Sequence, residues 1–153
     1  MKVTEKTSVV QRVHGECRTH SETGIAVRDL TTVIDEPAER GGGNRGLAPT
    51  ETLVAALVAC TNVISNKCAK KQGIEFETLS IDAEATFDRR GVMLAEEIEV
   101  PYPKIRLTIN ARTSASEEQI AQLQSDLGRF CPLAKIFRKA GTEVEEIWNL
   151  ERL

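Results

Sequence analysis

The sequence predicts an α+β fold built around one long internal helix. Three observations point to it: residues 48–73 form an apolar run of helical character, strand-like segments lie on both sides of that run, and two shorter helices precede a final strand. The element order is βββ-α-ββ-αα-β, which is an α+β arrangement. At 153 residues the chain is expected to be a single domain, 1–153, large enough to bury a core.

Composition is typical of a soluble globular protein, with 41% hydrophobic and 28% charged residues. A net charge of −3 and only six aromatic residues give no electrostatic or stacking basis for binding nucleic acid or an anionic membrane. Residues 1–6 contain no apolar segment, so no secretory signal is expected. We therefore expect a cytoplasmic protein whose four cysteines are reduced at rest.

β-Structure is predicted over residues 7–34. β-Branched residues are frequent in 7–13, and the segments 25–27 and 31–34 flank a turn at Arg28-Asp29 as a hairpin. Thr23-Gly24 is a further turn candidate. Residues 37–45 follow as a loop, which the consecutive glycines 41–43 are expected to make flexible.

The long helix has recognisable ends. Pro49 suits its first turn, Glu51 lies near the positive end of the helix dipole, and Gly73 is a typical stop. Residues 53–60 contain no polar side chain, so this part of the helix is expected to be buried on all sides. After Cys60 the sequence is too polar for a membrane span of about 20 apolar residues.

Two further strands are predicted after the helix, because residues 74–86 and 105–109 alternate between apolar and polar side chains. Pro101 and Pro103 exclude a central strand in the segment around them, because proline has no N–H to donate to a neighbouring strand. A last short strand is predicted over residues 144–150.

Two helices lie between these strands. Ser116 and Gln119 form a capping box that opens the first one. Pro132 then breaks the helix and starts a second, which Gly141 ends.

Two of the cysteines have different expected surroundings. Cys131 precedes Pro132 as a helix N-cap, where unpaired backbone N–H groups favour a thiolate. Cys60 lies in mid-helix and needs a positive charge from elsewhere to act as a nucleophile. The candidates that could supply it lie in the β-segment and the loop before the helix: Arg18, Arg28, Arg40 and Arg45. The alternative is that each thiol only fills space in the core.

A metal site is not expected. The spacing His14, Cys17, His20 would place the cysteine on the opposite face of a strand from the histidines, and zinc-type C-x2-C pairs are absent from the sequence. Cys68 follows Cys60 on the long helix at about 80° round its axis and is expected to be structural.

Residues 49–60, reading Pro-Thr-Glu-x-Leu-x-Ala-Ala-x-x-Ala-Cys, resemble the helix motif of the OsmC/Ohr family of osmotically inducible and organic-hydroperoxide-resistance proteins. The Cys131-Pro132 pair resembles the second cysteine motif of that family, and the glycine-rich loop and the element order also fit. The resemblance covers essentially the whole chain. It implies the OsmC-like fold, an intertwined homodimer and no cofactor.

The resemblance further implies reduction of organic hydroperoxides by thiol chemistry. Cys60 corresponds to the peroxidatic cysteine and Cys131 to the resolving one, so that a Cys60–Cys131 disulfide forms and an external dithiol, such as a lipoylated protein, reduces it. An apolar wall is expected to hold the alkyl part of the substrate, formed by Leu53, Leu57, Phe130 and Phe137.

In this family an arginine keeps the thiolate charged. Arg28 resembles the Arg-Asp turn of the Ohr branch, Arg40 has the spacing of the OsmC branch, and Arg28 is slightly favoured. The better-known branches have glutamate directly after the helix-opening proline, where this chain has Thr50 and places Glu51 one step later. This departure motivates an alternative to a peroxidase, a protein of the same fold that binds a small apolar ligand without turnover. A third hypothesis is a purely structural role in which all four thiols are inert.

Overall fold

The computed structural model describes residues 7–153, in two compact units, residues 7–53 and Val54–Leu153. Residues 1–6, where the sequence predicts no secretory signal, lie outside the described residues. The elements in chain order are β1 (His14–Cys17), β2 (Thr23–Val27), β3 (Leu30–Ile34), a 3-10 helix (Ala38–Arg40), α1 (Pro49–Gln72), β4 (Phe76–Thr86), β5 (Lys104–Thr113), α2 (Glu117–Phe130), α3 (Pro132–Lys139) and β6 (Glu143–Arg152). The predicted α+β order βββ-α-ββ-αα-β is confirmed.

The first unit contains an antiparallel sheet of order β1-β2-β3. The predicted turn at Arg28-Asp29 joins β2 to β3, and Arg28 has a φ of 57° there. Two details of the prediction are wrong. Residues 7–13 form no strand, because β1 pairs with β2 only from His14 onward, opposite Ala26 near the end of β2. Thr23-Gly24 lies inside β2 rather than in a turn.

The glycine-rich loop after β3 is held in place by a buried carboxylate, contrary to the expected flexibility. Asp35 is fully buried and accepts backbone N–H groups from Glu36, Gly43 and Arg45 at 2.8, 3.0 and 3.2 Å. Gly42 passes so close to the backbone of Glu36 that a Cβ atom would collide with it. The glycines here allow close packing of the chain on itself.

Helix α1 runs for 24 residues, from Pro49 to Gln72, and Gly73 follows it with a φ of 69°. Its buried residues form one stripe at helical spacing: Leu57, Thr61, Ser65, Cys68 and Ala69. The opposite side carries exposed apolar residues such as Val63, which is 48% exposed. The expectation that α1 is buried on all sides is therefore wrong for a single chain, because its apolar surface exceeds what one chain covers.

Contrary to the expectation that the sequence after Cys60 is too polar, α1 is apolar enough to cross a membrane by length and composition alone. The 18-residue window that meets this criterion is 28% buried within the structure. Core helices of soluble proteins meet the same criterion. The buried stripe includes the hydroxyls of Thr61 and Ser65, and Thr61 donates a hydrogen bond to the Leu57 carbonyl at 2.8 Å. The structure thus shows α1 as a helix with one buried stripe, which includes polar side chains.

The second unit contains a sheet of order β4-β5-β6, in which β4 and β5 are antiparallel and β5 and β6 parallel. The alternation predicted for β5 is confirmed, since Ile105, Leu107 and Ile109 are fully buried. The other face of the sheet is polar. There Arg106 bonds to Glu145 at 3.0 Å, so the two faces of the sheet differ sharply in character.

Helices α2 and α3 complete this unit. The predicted capping box is confirmed, with both hydrogen bonds between Ser116 and Gln119 present. Two buried clusters lie in the unit: the first contains Leu57, Tyr102, Ile105, Leu107, Leu127, Cys131, Ala134 and Phe137, and the second contains Cys68, Ala69, Ile74, Ala115, Ile120 and Leu123. Each large apolar side chain so buried contributes about 1.5–3 kcal/mol.

Candidate functional site

Cys60 and Cys131 lie side by side in the second unit. Their Sγ atoms are 3.6 Å apart, and both thiols are free. A disulfide bond is about 2.05 Å long, so the two sulfurs are in contact but not bonded. The sequence gives these cysteines a separation of 71 residues. The fold therefore brings two residues that are distant in the sequence together as a pair of adjacent reduced thiols.

The position of Cys131 follows from the residue after it. A residue before proline is restricted from the helical region, and Cys131 is extended, with φ −70° and ψ 109°. Its N–H still donates to the Leu127 carbonyl at 2.9 Å, while its own carbonyl accepts from the Lys135 N–H at 3.1 Å. Cys131 thus ends α2 and caps α3, which fixes its backbone on both sides.

The two thiols differ in exposure. Cys131 is fully buried, whereas Cys60 is partly exposed. Burial raises the pKa of the Cys131 thiol; the N–H groups of Ala134 and Leu133 oppose this, and the neighbouring Cys60 adds to it. The expectation that the helix start makes Cys131 a thiolate is therefore wrong, because the cost of burying the charge outweighs the helix N–H groups.

The four predicted wall residues separate into two pairs. Leu57 and Phe137, at 0% and 4% exposure, belong to the buried cluster that contains Cys131 and support the thiol pair from within the core. Phe130 is 53% exposed, with the Arg129 guanidinium 5.0 Å from its ring centre, and Leu53, in the first unit, is 42% exposed. Of the four predicted wall residues, only Phe130 and Leu53 therefore have exposed side chains.

Aromatic residues that the sequence interpretation did not select lie in the same cluster. Tyr102 packs edge-on against Phe137, with ring centres 5.6 Å apart, and against Phe87 at 5.0 Å. Leu133 and Val58 pack partly exposed against this cluster. The sequence contains only weak signals that these residues belong to the cluster: Tyr102 lies between two prolines, and Leu133 follows the Cys-Pro pair.

The candidate arginines all lie in the first unit and differ in their partners. Arg40 bonds to Glu36 at 2.6 Å. Arg18 and Arg45 both lie near Glu22, at 3.4 and 3.6 Å. Arg28 is exposed at its turn, and no ion pair is seen for it within residues 7–153.

Glu51 has a local structural contact. Its carboxylate accepts the Ala48 backbone N–H at 2.9 Å, in the way that an acidic residue in the third position of a helix satisfies the N-cap. Among residues 7–153, no arginine forms an ion pair with it. Glu51 is thus occupied as a helix cap.

The remaining two thiols, Cys17 and Cys68, are also free. Cys17 is exposed on β1, and Cys68 is buried in the second cluster, where burial and the charge of Asp126 raise its pKa against the opposing effect of Lys71. Within residues 7–153, no group of three or more His, Cys, Asp and Glu side chains is placed to hold a metal ion. His20 instead forms a hydrogen bond with the Gly41 carbonyl at 3.1 Å.

Comparison with known proteins identifies a family. The family model of OsmC-like proteins matches residues 41–146, which include both Cys60 and Cys131. No curated protein matches the chain.

Solved structures share the fold at low sequence identity. An OsmC-like protein from Mycoplasma pneumoniae is 14% identical, with a TM-score of 0.77 over 93% of this chain and 97% of that one. An organic hydroperoxide resistance protein OsmC from Legionella pneumophila is 17% identical, with a TM-score of 0.66 over 94% and 99%. The organic hydroperoxide resistance protein OhrB of Bacillus subtilis is 22% identical, with a TM-score of 0.60 over 92% and 98%.

Proposed function

The chain belongs to the family of OsmC-like proteins, and from this premise we propose that it is a thiol-dependent peroxidase that reduces organic hydroperoxides through Cys60 and Cys131. One observation carries the proposal: the two Sγ atoms lie 3.6 Å apart in the reduced state, one partly exposed and the other buried. Two of the proteins that share the fold are named for organic hydroperoxide resistance, which supports the same substrate class.

The chemistry begins at the more accessible sulfur. The Cys60 thiolate attacks the distal oxygen of the hydroperoxide, and the O–O bond breaks. The departing alkoxide takes a proton from water and leaves as the alcohol. Cys60 is then a sulfenic acid. The Cys131 sulfur attacks the Cys60 sulfur, water leaves, and a disulfide forms. A dithiol, such as a lipoylated protein, returns both thiols by exchange and becomes a disulfide itself.

The substrate surface is proposed to be apolar. Phe130 and Leu133 expose apolar area on either side of Cys131 in the sequence, and Leu53 is proposed for the same role. Leu57 and Phe137 are proposed to hold the thiol pair from behind rather than to touch the substrate. Hydrogen peroxide has no alkyl group to bury, so it should be the poorer substrate.

Arg28 is the cation that we propose for activating Cys60. Its guanidinium is exposed and forms no ion pair within residues 7–153, whereas Arg40 is bound to Glu36. A free guanidinium can stabilise a thiolate without first losing another partner.

We further propose a homodimer in the cytoplasm. In the second unit, an apolar groove of about 390 Å³ runs between α1 and β4, lined by Ala55, Val58, Ala59, Asn62, Leu79 and Ile81. The exposed side of α1 is more apolar than a solvated helix face needs to be. A second copy of the chain would cover it, as the family resemblance implies.

Peroxide consumption tests the proposal. Purified chain with cumene hydroperoxide and a dithiol should consume the peroxide, and one equivalent without dithiol should convert two thiols into a Cys60–Cys131 disulfide. Cys60→Ser should abolish consumption, while Cys17→Ser, an exposed cysteine in the other unit, is the matched control and should leave it unchanged. Equal consumption by Cys60→Ser would refute the proposal.

A second candidate is a protein of this fold that binds a small apolar ligand without turnover. The capping hydrogen bond that Glu51 accepts from the Ala48 N–H favours it, because that carboxylate is then not available to orient an arginine. Native mass spectrometry would detect a retained ligand, and slow Cys60 alkylation at neutral pH would accompany it. Rapid peroxide turnover would exclude this candidate.

A further inference from the structure

The separation of the two sulfurs suits a single bridging atom between them. At 3.6 Å the Sγ atoms of Cys60 and Cys131 are in contact in the reduced state and not bonded to each other. Two sulfurs bound to one tetrahedral centre with bonds of about 2.3 Å are separated by about 3.8 Å. A pyramidal centre has narrower angles and brings them slightly closer. The resting pair therefore has the spacing of a two-sulfur chelate.

The number of ligands limits what that centre can be. No group of three or more potential metal ligands is present among residues 7–153, so these two thiols have no His, Cys, Asp or Glu side chain to complete a closed metal site. A structural zinc site needs four such ligands. The pair suits a soft atom that binds only two protein sulfurs and has its third bond to a substituent of its own. A trivalent arsenic atom bearing one organic group meets both conditions.

The surroundings suit the organic group. The buried neighbours in the cluster of Cys131 are apolar, including Leu127 and Ala134, and the partly exposed Val58 and Leu133 pack against that cluster. An aryl or alkyl substituent can therefore contact apolar surface while the arsenic holds the sulfurs. Burial of Cys131 also shields the As–S bond from water.

We infer that Cys60 and Cys131 form a chelating site for monosubstituted trivalent arsenicals. The site uses the two sulfurs of the proposed peroxidase and requires no oxidation of either. The hydrated arsenical, R–As(OH)2, first reacts with the accessible Cys60 thiol, forming one As–S bond and releasing water. The Cys131 thiol then displaces the second hydroxyl, again as water. Arsenic remains trivalent throughout, and each thiol gives up its proton to a departing hydroxyl.

Phenylarsine oxide is the probe for the test. The reduced full-length chain should bind one equivalent, and thiol mapping should show Cys60 and Cys131 protected together while Cys17 still reacts. Excess monothiol should leave the complex intact, and a dithiol should remove the arsenical. A chelate gains from effective concentration, so Cys60→Ser and Cys131→Ser should each bind about 10²- to 10⁴-fold more weakly.

Controls distinguish this site from other thiols and from the proposed function. Cys17→Ser and Cys68→Ser should bind like the unaltered chain, and circular dichroism should verify that each variant is folded. Unchanged affinity in a folded Cys60→Ser variant, or ready release by monothiol, would overturn the inference. A chain that binds the arsenical but fails to consume hydroperoxide would refute the peroxidase alone. A chain that forms the disulfide but releases the arsenical to monothiol would refute the chelate alone.

Discussion

The backbone N–H of Ala134 interacts with the sulfur of Cys131 at the start of α3, yet the pKa of this thiol is raised rather than lowered. The reason is its complete burial, since removing a thiolate from water costs more than two helix N–H groups return. In a two-cysteine peroxidase this suits a resolving thiol, which stays protonated and protected until its partner has been oxidised.

Alkylation rates should follow this difference. With iodoacetamide at neutral pH, the exposed Cys17 should react well before Cys68 and Cys131, because these two thiols are buried and have raised pKa values. Time-resolved peptide mass spectrometry measures each site. The Cys60→Ser variant is the control, because it removes the neighbouring thiol but leaves Cys131 buried. Labelling of Cys131 should therefore stay slow in this variant. Cys131 labelling as fast as Cys17 in the unaltered chain would contradict the assignment.

Two leucines of the predicted substrate wall should behave differently when truncated. Leu57 is fully buried, so Leu57→Ala should lower the free energy of unfolding by about 2–5 kcal/mol. Leu53 is 42% exposed, so Leu53→Ala should change it by less than about 1 kcal/mol and act on the KM for bulky hydroperoxides instead. Urea unfolding and steady-state peroxide kinetics provide the two measurements. A large stability loss in Leu53→Ala would reverse the assignment.

The elements that could be predicted from sequence are those with local signals. The capping box at Ser116 and the break at Cys131-Pro132 are encoded within a few residues, and β5 alternates regularly because one face of it is buried. The two cysteine motifs were found through their resemblance to a family, and the fold brings their sulfurs together.

The features that could not be predicted depend on distant parts of the chain. Residues 7–13 have β-branched side chains, but a strand also needs a partner, and β2 ends too early to provide one. Leu53 and Leu57 are identical residues one turn apart, and only packing makes one exposed and the other buried. The direction of the pKa shift at Cys131 likewise depends on its burial, which the helix start does not reveal.

The two candidate arginines can be separated by substitution. Arg28→Ala should lower the rate of peroxide consumption by at least about tenfold if its charge stabilises the Cys60 thiolate, because each 1.36 kcal/mol of lost stabilisation is a factor of ten. Arg40→Ala should mainly remove an exposed ion pair with Glu36, which is worth about 0–1 kcal/mol, and should leave the rate nearly unchanged. Single-turnover kinetics with cumene hydroperoxide distinguish the variants. The reverse ranking would assign the role to Arg40, and Arg28→Lys should retain part of the rate if charge is what matters.

Glu146 on β6 should weaken the fold as pH rises. Burial raises the pKa of its carboxyl despite the nearby Arg138 guanidinium at 3.5 Å. The folded state therefore holds the proton more tightly, and its contribution to stability is lost as pH rises from about 4.5 through the folded-state pKa. Glu146→Gln should remove this loss and be as stable as the unaltered chain, or more so, at neutral pH. Urea unfolding between pH 4 and 8 measures it, and a variant that is less stable only at high pH would contradict the argument.

Asp35 in the first unit should have the opposite dependence on pH. Burial favours its neutral form, but hydrogen bonds from the Ser21 side chain and from the N–H groups of Arg45, Glu36 and Gly43 prevail, so the pKa of the carboxyl lies below its usual value of 3.8. The unfolded chain binds the proton more readily, so the stability that this group contributes is complete above pH 3.8 and is lost as pH falls through the folded-state pKa.

Asp35→Asn should therefore destabilise the first unit at neutral pH, because an amide NH2 group would face backbone N–H donors, and it should flatten the acid limb of the stability curve. Asp29→Asn is the matched control, since Asp29 is exposed in the turn after Arg28. This variant should leave the stability at neutral pH and the acid limb of the curve unchanged. Hydrogen exchange of the Gly43 and Arg45 amides reports directly on the loop, and both should exchange faster in Asp35→Asn. Unaltered protection of these two amides would show that backbone packing around Gly42, rather than the buried carboxylate, holds the loop in place.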